Sequence, residues 1–261
     1  PAAAARTPEA SQAMTSAPQA TKRTFFTSID WAALSSAGSD GCDIRVAGLC
    51  ALGEAVSEFF DQLGVSFKPA RNDVAGNVRK MTDAAKQLDS APAAGAEEFQ
   101  TGSVGHLLQS EQASGLAAKD PSGTIGLLWF KRALEYLYAL LCLVHSSRAR
   151  TGDFGMAELC RRAYEATLKP RHSWLVQKTF GLVISTSPKR SQFLARVTYG
   201  DDSVNEDELY ESMAASLVAM RRLLECLNAA LCRYNVESPP VPDLAALSPA
   251  GTESPAGAVE Q

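Results

Sequence analysis

The stretch LLWFKRALEYLYALLCLV, residues 127–144, decides the fold class of this 261-residue chain. Its apolar side chains recur at intervals of three and four positions, which is the period of an α-helix. Lys131, Arg132 and Glu135 lie within it, and each of these charges would be costly at the centre of a bilayer. The stretch therefore predicts a helix in the core of a globular domain and not a membrane span.

The same helical period continues on both sides of this stretch, whereas the alternation typical of β-strands is scarce. One glycine and four prolines punctuate it: Gly64, Pro69, Pro121, Pro170 and Pro188. Residues 89–102 are rich in Ala and Gly and are interpreted as a loop. The pattern predicts an all-α domain of about eight helices, over residues 44–63, 73–88, 103–112, 124–146, 156–168, 172–185, 189–197 and 205–233.

Both ends of the chain are poor in residues that form a core. Residues 1–23 are mostly Ala, Pro, Ser, Thr and Gln, and residues 238–261 repeat this composition with five prolines. Such segments cannot bury enough apolar surface to offset the entropy lost on ordering. We expect both ends to be disordered and residues 24–237 to form one domain.

Charge and motif content exclude several classes of function. The formal net charge of −4 gives no general attraction to nucleic acid, so we expect no nucleic-acid partner. The six cysteines lack the short paired spacings of a zinc site or a redox motif. There is also no nucleophile elbow and no phosphate-binding loop. We therefore expect no catalytic residues, no metal, no cofactor and no enzymatic activity.

The segment DVAGNVRK, residues 73–80, places Asp73, Asn77 and Lys80 on one face of a helix, at i, i+4 and i+7. A carboxylate, an amide and an ammonium group together supply the acceptors and donors that several hydroxyls in fixed positions require, as in a sugar. The alternative is a solvated helix face with an ion pair. The segment alone leaves both interpretations open.

Trp129 and His172 are two further candidates for ligand binding. The indole of Trp129 offers a flat face and one N–H donor, which suit the apolar face of a sugar ring. The alternative for Trp129 is a core position in its long apolar helix. His172 lies at the start of a helix, where a capping or surface histidine is the ordinary case.

These segments, in this order and spacing, resemble the glycolipid transfer protein family. The resemblance covers roughly residues 24–236. It rests on Asp73, Gly76, Asn77 and Lys80, on Trp-x-Lys-Arg-x-Leu at 129–134, on His-x-Trp-x-Val-Gln-Lys at 172–178, and on the stretches 55–64, 187–194 and 231–236.

The resemblance implies a two-layer helical sandwich that encloses the hydrocarbon chains of a glycosphingolipid and holds its sugar headgroup at the surface. It implies that Trp129 stacks on the first sugar, and that Asp73, Asn77 and Lys80 hydrogen-bond the sugar hydroxyls. The protein would then carry this lipid between membranes without making or breaking a bond. A hydrolase that uses Asp73 and His172 is the rival interpretation, and the missing motifs argue against it.

The ceramide amide would be held from two sides. In the family, the residue matching Asp73 accepts from the amide N–H, and the residue matching His172 donates to the amide carbonyl. Tyr234 matches a tyrosine close to the amide. Ser185 departs from the family, because the best-known members have a tyrosine there.

The family also has a branch that carries ceramide-1-phosphate, with arginines at two positions that face the headgroup. The matching residues here are Trp129 and Ile125, which cannot supply the fixed positive charge that a phosphate requires. The chain therefore resembles the branch that binds sugars. A ceramide-1-phosphate carrier and a glycolipid sensor that acts through a partner remain as alternatives.

Two segments suggest contacts beyond the lipid. Residues 169–190 contain no acidic residue, and Trp174 with Lys178 suits transient docking on a membrane surface from the cytosol; a packed Trp174 beside a basic rim is the alternative. Residues 57–64, SEFFDQLG, resemble a motif that binds endoplasmic-reticulum anchor proteins. The alternative there is that Phe59 and Phe60 belong to the core. We expect the protein to be a monomer.

Overall fold

The computed structural model describes residues 22–35, 41–62, 64–90, 99–150, 152–153, 155–237 and 243. These residues form nine α-helices and two short 3₁₀ helices, without a β-strand, which confirms the all-α prediction. The α-helices are α1 Trp31–Ser35, α2 Val46–Gln62, α3 Lys68–Ser90, α4 Val104–Ala113, α5 Gly123–Ser146, α6 Ala157–Ala166, α7 Trp174–Ser185, α8 Arg190–Val197 and α9 Glu206–Arg233. The 3₁₀ helices are Val65–Phe67 and Lys169–Arg171.

All eight predicted helices are present, and their boundaries lie within two residues of the sequence prediction except at the start of α3. Helix α3 begins at Lys68 instead of residue 73 and so includes Pro69 in its first turn. Proline is tolerated there because the backbone N–H groups of the first turn have no acceptor within the helix, so the missing N–H breaks no helical hydrogen bond. Helix α3 also continues to Ser90, into the predicted loop. The sequence does not predict helix α1, since five residues are too few to reveal a period.

Helix α5 is the central element of the core. Almost every residue from Leu127 to Val144 is buried, so the helix is covered on all sides, by α3, α4, α6 and α9. This explains why its sequence is apolar around the whole circumference. Among the described residues, no helix carries an apolar stretch long enough to cross a membrane.

The start of α5 is fixed by side chains. Ser122 is the N-cap, and its hydroxyl accepts from the backbone N–H of Ile125 at 3.1 Å. The carboxylate of Glu111 accepts from the N–H groups of Gly123 at 2.8 Å and Thr124 at 2.7 Å. Three N–H groups that a helix start leaves open therefore have partners, and the first turn of α5 is held against α4.

Gly126 allows α5 to approach α3 closely. A Cβ atom at this position would lie 2.7 Å from the backbone oxygen of Asn77 and 2.8 Å from the Cβ of Lys80. Any larger residue would push the helices apart. The contact places Trp129, one turn further along α5, beside the face of α3 that carries Asp73 and Asn77.

The two ends of the described domain are anchored in the core. Phe25 and Phe26 are buried, and Lys22 forms an ion pair of 2.7 Å with Glu208 on α9. Lys22 and Arg23, expected in the N-terminal segment, thus already contact the helical body. Glu237 is buried at the other end. The remaining residues predicted to be disordered, other than Asp243, lie outside the described ones.

Candidate functional site

A pocket of about 320 Å³ opens between α3, α5 and α7. Two apolar residues of α7 that line it, Leu175 and Val176, are also exposed at the surface. Apolar and aromatic side chains form nearly all of its wall, among them Phe60, Val74, Ala133, Tyr136, Leu168, Phe180 and Val183. Such a pocket suits an apolar ligand, since it offers few hydrogen-bond partners.

Three of the predicted site residues meet at this pocket. Asp73 from α3, Trp129 from α5 and His172 from the turn before α7 all line it. The rings of Trp129 and His172 stack with their centroids 5.9 Å apart and an interplanar angle of 23°. The tertiary structure thus brings Asp73 and His172, which are 99 positions apart in the sequence, to the same pocket.

Asp73 and Asn77 form a pair on α3. The side-chain amide of Asn77 donates to the Asp73 carboxylate at 3.3 Å, and Asn77 is buried. Loss of solvent raises the pKa of Asp73, and the nearby charge of Lys80 partly opposes this shift. A fully solvated face would leave Asn77 exposed, so this face of α3 is not the simple solvated surface that the sequence left open.

Lys80 is not among the residues that line the pocket. Its Nζ lies 2.6 Å from Oδ1 of Asp120, in the turn before α5. The Asp120 side chain is 63% exposed and that of Lys80 is 24% exposed. Sequence reasoning missed Asp120, because a loop residue 40 positions away has no periodic relation to Lys80.

His172 is oriented by a tyrosine that sequence reasoning also missed. Its Nδ1 lies 3.1 Å from the hydroxyl of Tyr164 on α6, and the Tyr164 ring stacks on Phe180 at 4.3 Å. Desolvation, and then the charge of Arg132, lowers the pKa of His172 below its ordinary 6.5. The imidazole is therefore mostly neutral at pH 7, with one donor and one acceptor nitrogen.

A buried ionic network of Arg132, Lys131, Glu135 and Glu237 lies next to Trp129. The guanidinium carbon of Arg132 lies 4.8 Å from the centroid of the Trp129 ring. The same guanidinium donates to both carboxylate oxygens of Glu237, at 3.0 and 3.1 Å. Lys131, fully buried, donates to Glu237 at 3.0 Å and to Glu135 at 2.9 Å. Glu237, in the segment that follows α9, thus fixes the Arg132 side chain next to the Trp129 ring.

Glu237 is the acidic centre of this network. Burial acts to raise its pKa, but hydrogen bonds from Arg132 and Lys131, together with their charges, outweigh burial and lower it to about 2. The carboxylate therefore remains charged at any physiological pH. Its position four residues past the end of α9 gave no signal in the sequence.

Tyr234, predicted near the ceramide amide, is not among the residues that line the pocket. It is the C-cap of α9, half-buried and packed against the core. The structure therefore does not bring it together with Asp73 and His172. Its role at the amide stays a prediction.

Helix α7 is apolar on two faces. One face lines the pocket, through Leu175, Val176, Thr179, Phe180 and Val183. The outer face carries Trp174, Lys178 and Leu182 at intervals of four residues. Trp174 is 70% exposed and Leu182 is 72% exposed, and Nζ of Lys178 lies 5.6 Å from the Trp174 ring. The alternative of a packed Trp174 is wrong.

The two phenylalanines of the segment 57–64 are buried. Phe59 is 1% exposed and Phe60 is 3% exposed, and Phe60 also lines the pocket. The interpretation of these rings as core residues is confirmed. Binding of an anchor protein through this segment stays a prediction.

Comparisons with known proteins agree with this geometry. A family model described as glycolipid transfer protein matches residues 44–199. A glycolipid transfer protein of Danio rerio is 32% identical over 171 residues, which cover 63% of this chain and 77% of that protein.

Solved structures share the fold. The structure of FAPP2, which selects simple glycosphingolipids using the GLTP-fold, has a TM-score of 0.66 and 25% identity, covering 84% of this chain and 100% of that one. Mouse ceramide-1-phosphate transfer protein has the same TM-score at 19% identity, covering 83% and 99%, and so supports the fold alone. The expected helical sandwich is confirmed, and the chain belongs to the glycolipid transfer protein family.

Proposed function

We propose that this protein is a non-enzymatic carrier that takes a glycosphingolipid from one membrane and delivers it to another. The observation that carries the proposal is the convergence of Asp73, Trp129 and His172 on one apolar pocket. Polar groups at the mouth select a headgroup, while apolar walls receive hydrocarbon. That combination suits an amphiphile with a polar, hydroxyl-rich end.

The headgroup side offers groups of mixed hydrogen-bonding character. Asp73 accepts, Asn77 both donates and accepts, and Lys80, further along the same helix, donates. Sugar hydroxyls are both donors and acceptors, so they pair with such a set. The indole of Trp129, held by Arg132, offers an apolar face for the ring of the first sugar.

The amide of a ceramide fits between Asp73 and His172. We infer that the Tyr164 hydroxyl donates to Nδ1 of His172, which leaves the imidazole proton on Nε2. Nε2 has no hydrogen-bond partner among the described residues, so it can donate to the amide carbonyl. The Asp73 carboxylate can accept from the amide N–H. This pair favours lipids that contain an amide.

The apolar pocket lowers the barrier to leaving a membrane. Exposure of one long chain to water costs on the order of 10 kcal/mol, at about 0.8 kcal/mol per CH₂. A pocket of about 320 Å³ lies at the lower end of the range for ligand sites, so it must widen to hold two chains. Helix α7 packs mainly against α6, which makes it the wall that moves most easily.

Helix α7 also provides the contact with the membrane. Trp174 and Leu182 expose apolar surface next to the pocket, and Lys178 lies between them on the same face. An indole flanked by a cation suits the depth of lipid headgroups. Docking there brings the pocket to the bilayer, and the chain works in the cytosol at the surface of its donor and acceptor membranes.

The charges of the site favour a sugar over a phosphate. Ile125 and Trp129 carry no charge, and two cations beside the site residues, Lys80 and Arg132, each have a carboxylate within 3.1 Å. A phosphate would have to compete with these carboxylates. A ceramide-1-phosphate carrier is therefore the weaker candidate.

Transfer between vesicles tests the proposal. Galactosylceramide, glucosylceramide and ceramide-1-phosphate are offered in matched donor vesicles, and arrival in acceptor vesicles is followed over time. We expect both glycolipids to move faster than the phosphate lipid. Binding without acceleration of transfer would favour a sensor, and faster movement of ceramide-1-phosphate would reverse the choice of headgroup.

A further inference from the structure

The ion pair between Lys80 and Asp120 lies two helical turns along α3 from Asp73, which lines the pocket, and the charge of Lys80 acts on the Asp73 carboxylate and opposes the rise of its pKa. The distance of 2.6 Å makes the ion pair a direct charge-assisted hydrogen bond. Among the described residues, Asp120 is the one acidic side chain in ion-pair contact with Lys80. The pair joins α3 to the turn before α5, beside the close contact at Gly126.

Two other sources of positive potential, both in α5, are also neutralised. The start of α5 would attract an anion, but its first N–H groups are bonded to the Glu111 carboxylate and the Ser122 hydroxyl. The guanidinium of Arg132 donates hydrogen bonds to both carboxylate oxygens of Glu237. Glu111 and Glu237 are buried, whereas Asp120, the partner of Lys80, is largely exposed, so of these three neutralised groups Lys80 is the one that an incoming headgroup can reach.

We propose that Asp120 is a specificity-determining residue, which neutralises Lys80 and disfavours lipids whose headgroup carries a negative charge. This inference rests on the proposed function and extends it to the sulfated and phosphorylated relatives of a neutral glycolipid. An incoming sulfate or phosphate must displace the Asp120 carboxylate from Lys80 and lie next to it. A neutral sugar hydroxyl can bond to either partner without separating them.

The charge of Asp120 can be removed with little change of shape, by Asp120→Asn. The side chain is largely exposed, so the substitution opens no cavity. Asp202→Asn is the matched control, because it removes the same charge from an exposed loop between α8 and α9. The double variant Asp120→Asn with Lys80→Gln tests whether a change in the preference for charged lipids depends on the charge of Lys80.

The experiment compares transfer of galactosylceramide with that of its 3-sulfate from the same neutral vesicles, at low and high salt. The ratio of sulfated to neutral transfer should rise about fivefold in Asp120→Asn at low salt, the upper range for an exposed ion pair. The rise should shrink at high salt, where charges are screened. It should be absent from the double variant and from Asp202→Asn.

The results separate this inference from the proposed function. If the wild-type protein moves galactosylceramide but Asp120→Asn leaves the ratio within twofold, the role of Asp120 is refuted and the carrier function stands. An equal rise in Asp202→Asn would also overturn it, because the effect would then be one of overall charge. If the wild-type protein moves neither lipid, both proposals fall.

Discussion

Removal of the apolar side chains on the outer face of α7 should weaken the partition of the protein onto membranes, while the choice between lipid headgroups stays unchanged. The variants are Trp174→Ala, Leu182→Ala and the two combined. Both side chains are largely exposed and neither lines the pocket that Asp73 and His172 share. The fold should persist, since exposed residues contribute little to the core.

The exposed area gives the size of the effect. A tryptophan presents up to about 250 Å², so the 70% that is exposed at Trp174 places roughly 170 Å² in water. Full insertion at ~25 cal/mol/Å² would stabilise the bound state by about 4 kcal/mol. A ring that settles at headgroup depth gains about half, so Trp174→Ala should weaken partition by roughly 30-fold. Leu182→Ala should cost about 1 kcal/mol, or roughly fivefold.

Partition onto vesicles is measured by sedimentation, and the transfer rate is measured on the same vesicles. Val218→Ala is the matched control, because Val218 is an exposed apolar residue on α9, which does not line the pocket. Partition and rate should fall together, and the ratio between lipids should stay constant. If partition of the double variant equals that of the wild-type protein, α7 is not the docking surface.

Three further predictions concern the pocket and its support. Asp73→Val should reduce glycolipid transfer by tens-fold or more, because it removes hydrogen bonds to a charged acceptor worth about 1.5 to 3 kcal/mol each; a folded variant that keeps most of its activity would contradict the assignment. Ile125→Arg with Trp129→Arg should abolish glycolipid transfer and give a partial gain for ceramide-1-phosphate in the vesicle assay, since two guanidinium groups replace the stacking surface. Glu237→Gln should lower the free energy of unfolding at pH 7 by about 3 kcal/mol, because the wild-type pKa of about 2 lies well below the ordinary 4.5. The folded-state pKa is depressed, so this contribution is complete above pH 4.5 and fades as the pH falls toward 2. Urea unfolding at pH 7 and pH 3 should show the difference between the two proteins narrowing, and an equal difference at both values would point to packing alone.

The sequence predicts part of the site because that part is local. Asp73, Asn77 and Lys80 share a helix face wherever α3 lies, since their spacing follows the turn of the helix. The sequence could not place Trp174 inside or outside, because α7 has apolar residues on two faces and periodicity does not distinguish a core from a membrane face. Its exposure follows from the packing of α7 against α6.

The amino-acid sequence by itself determined the helical class, the eight main helices and the resemblance that names the family, because each depends on short-range period or on motif order. Only the tertiary structure decided which partners complete the site. Asp120 meets Lys80, Tyr164 orients His172, and Glu237 holds Arg132 against Trp129. These contacts join different helices and loops, and no rule of spacing connects such residues. They depend instead on how closely the helices pack, as at Gly126, where the missing side chain lets α5 reach α3.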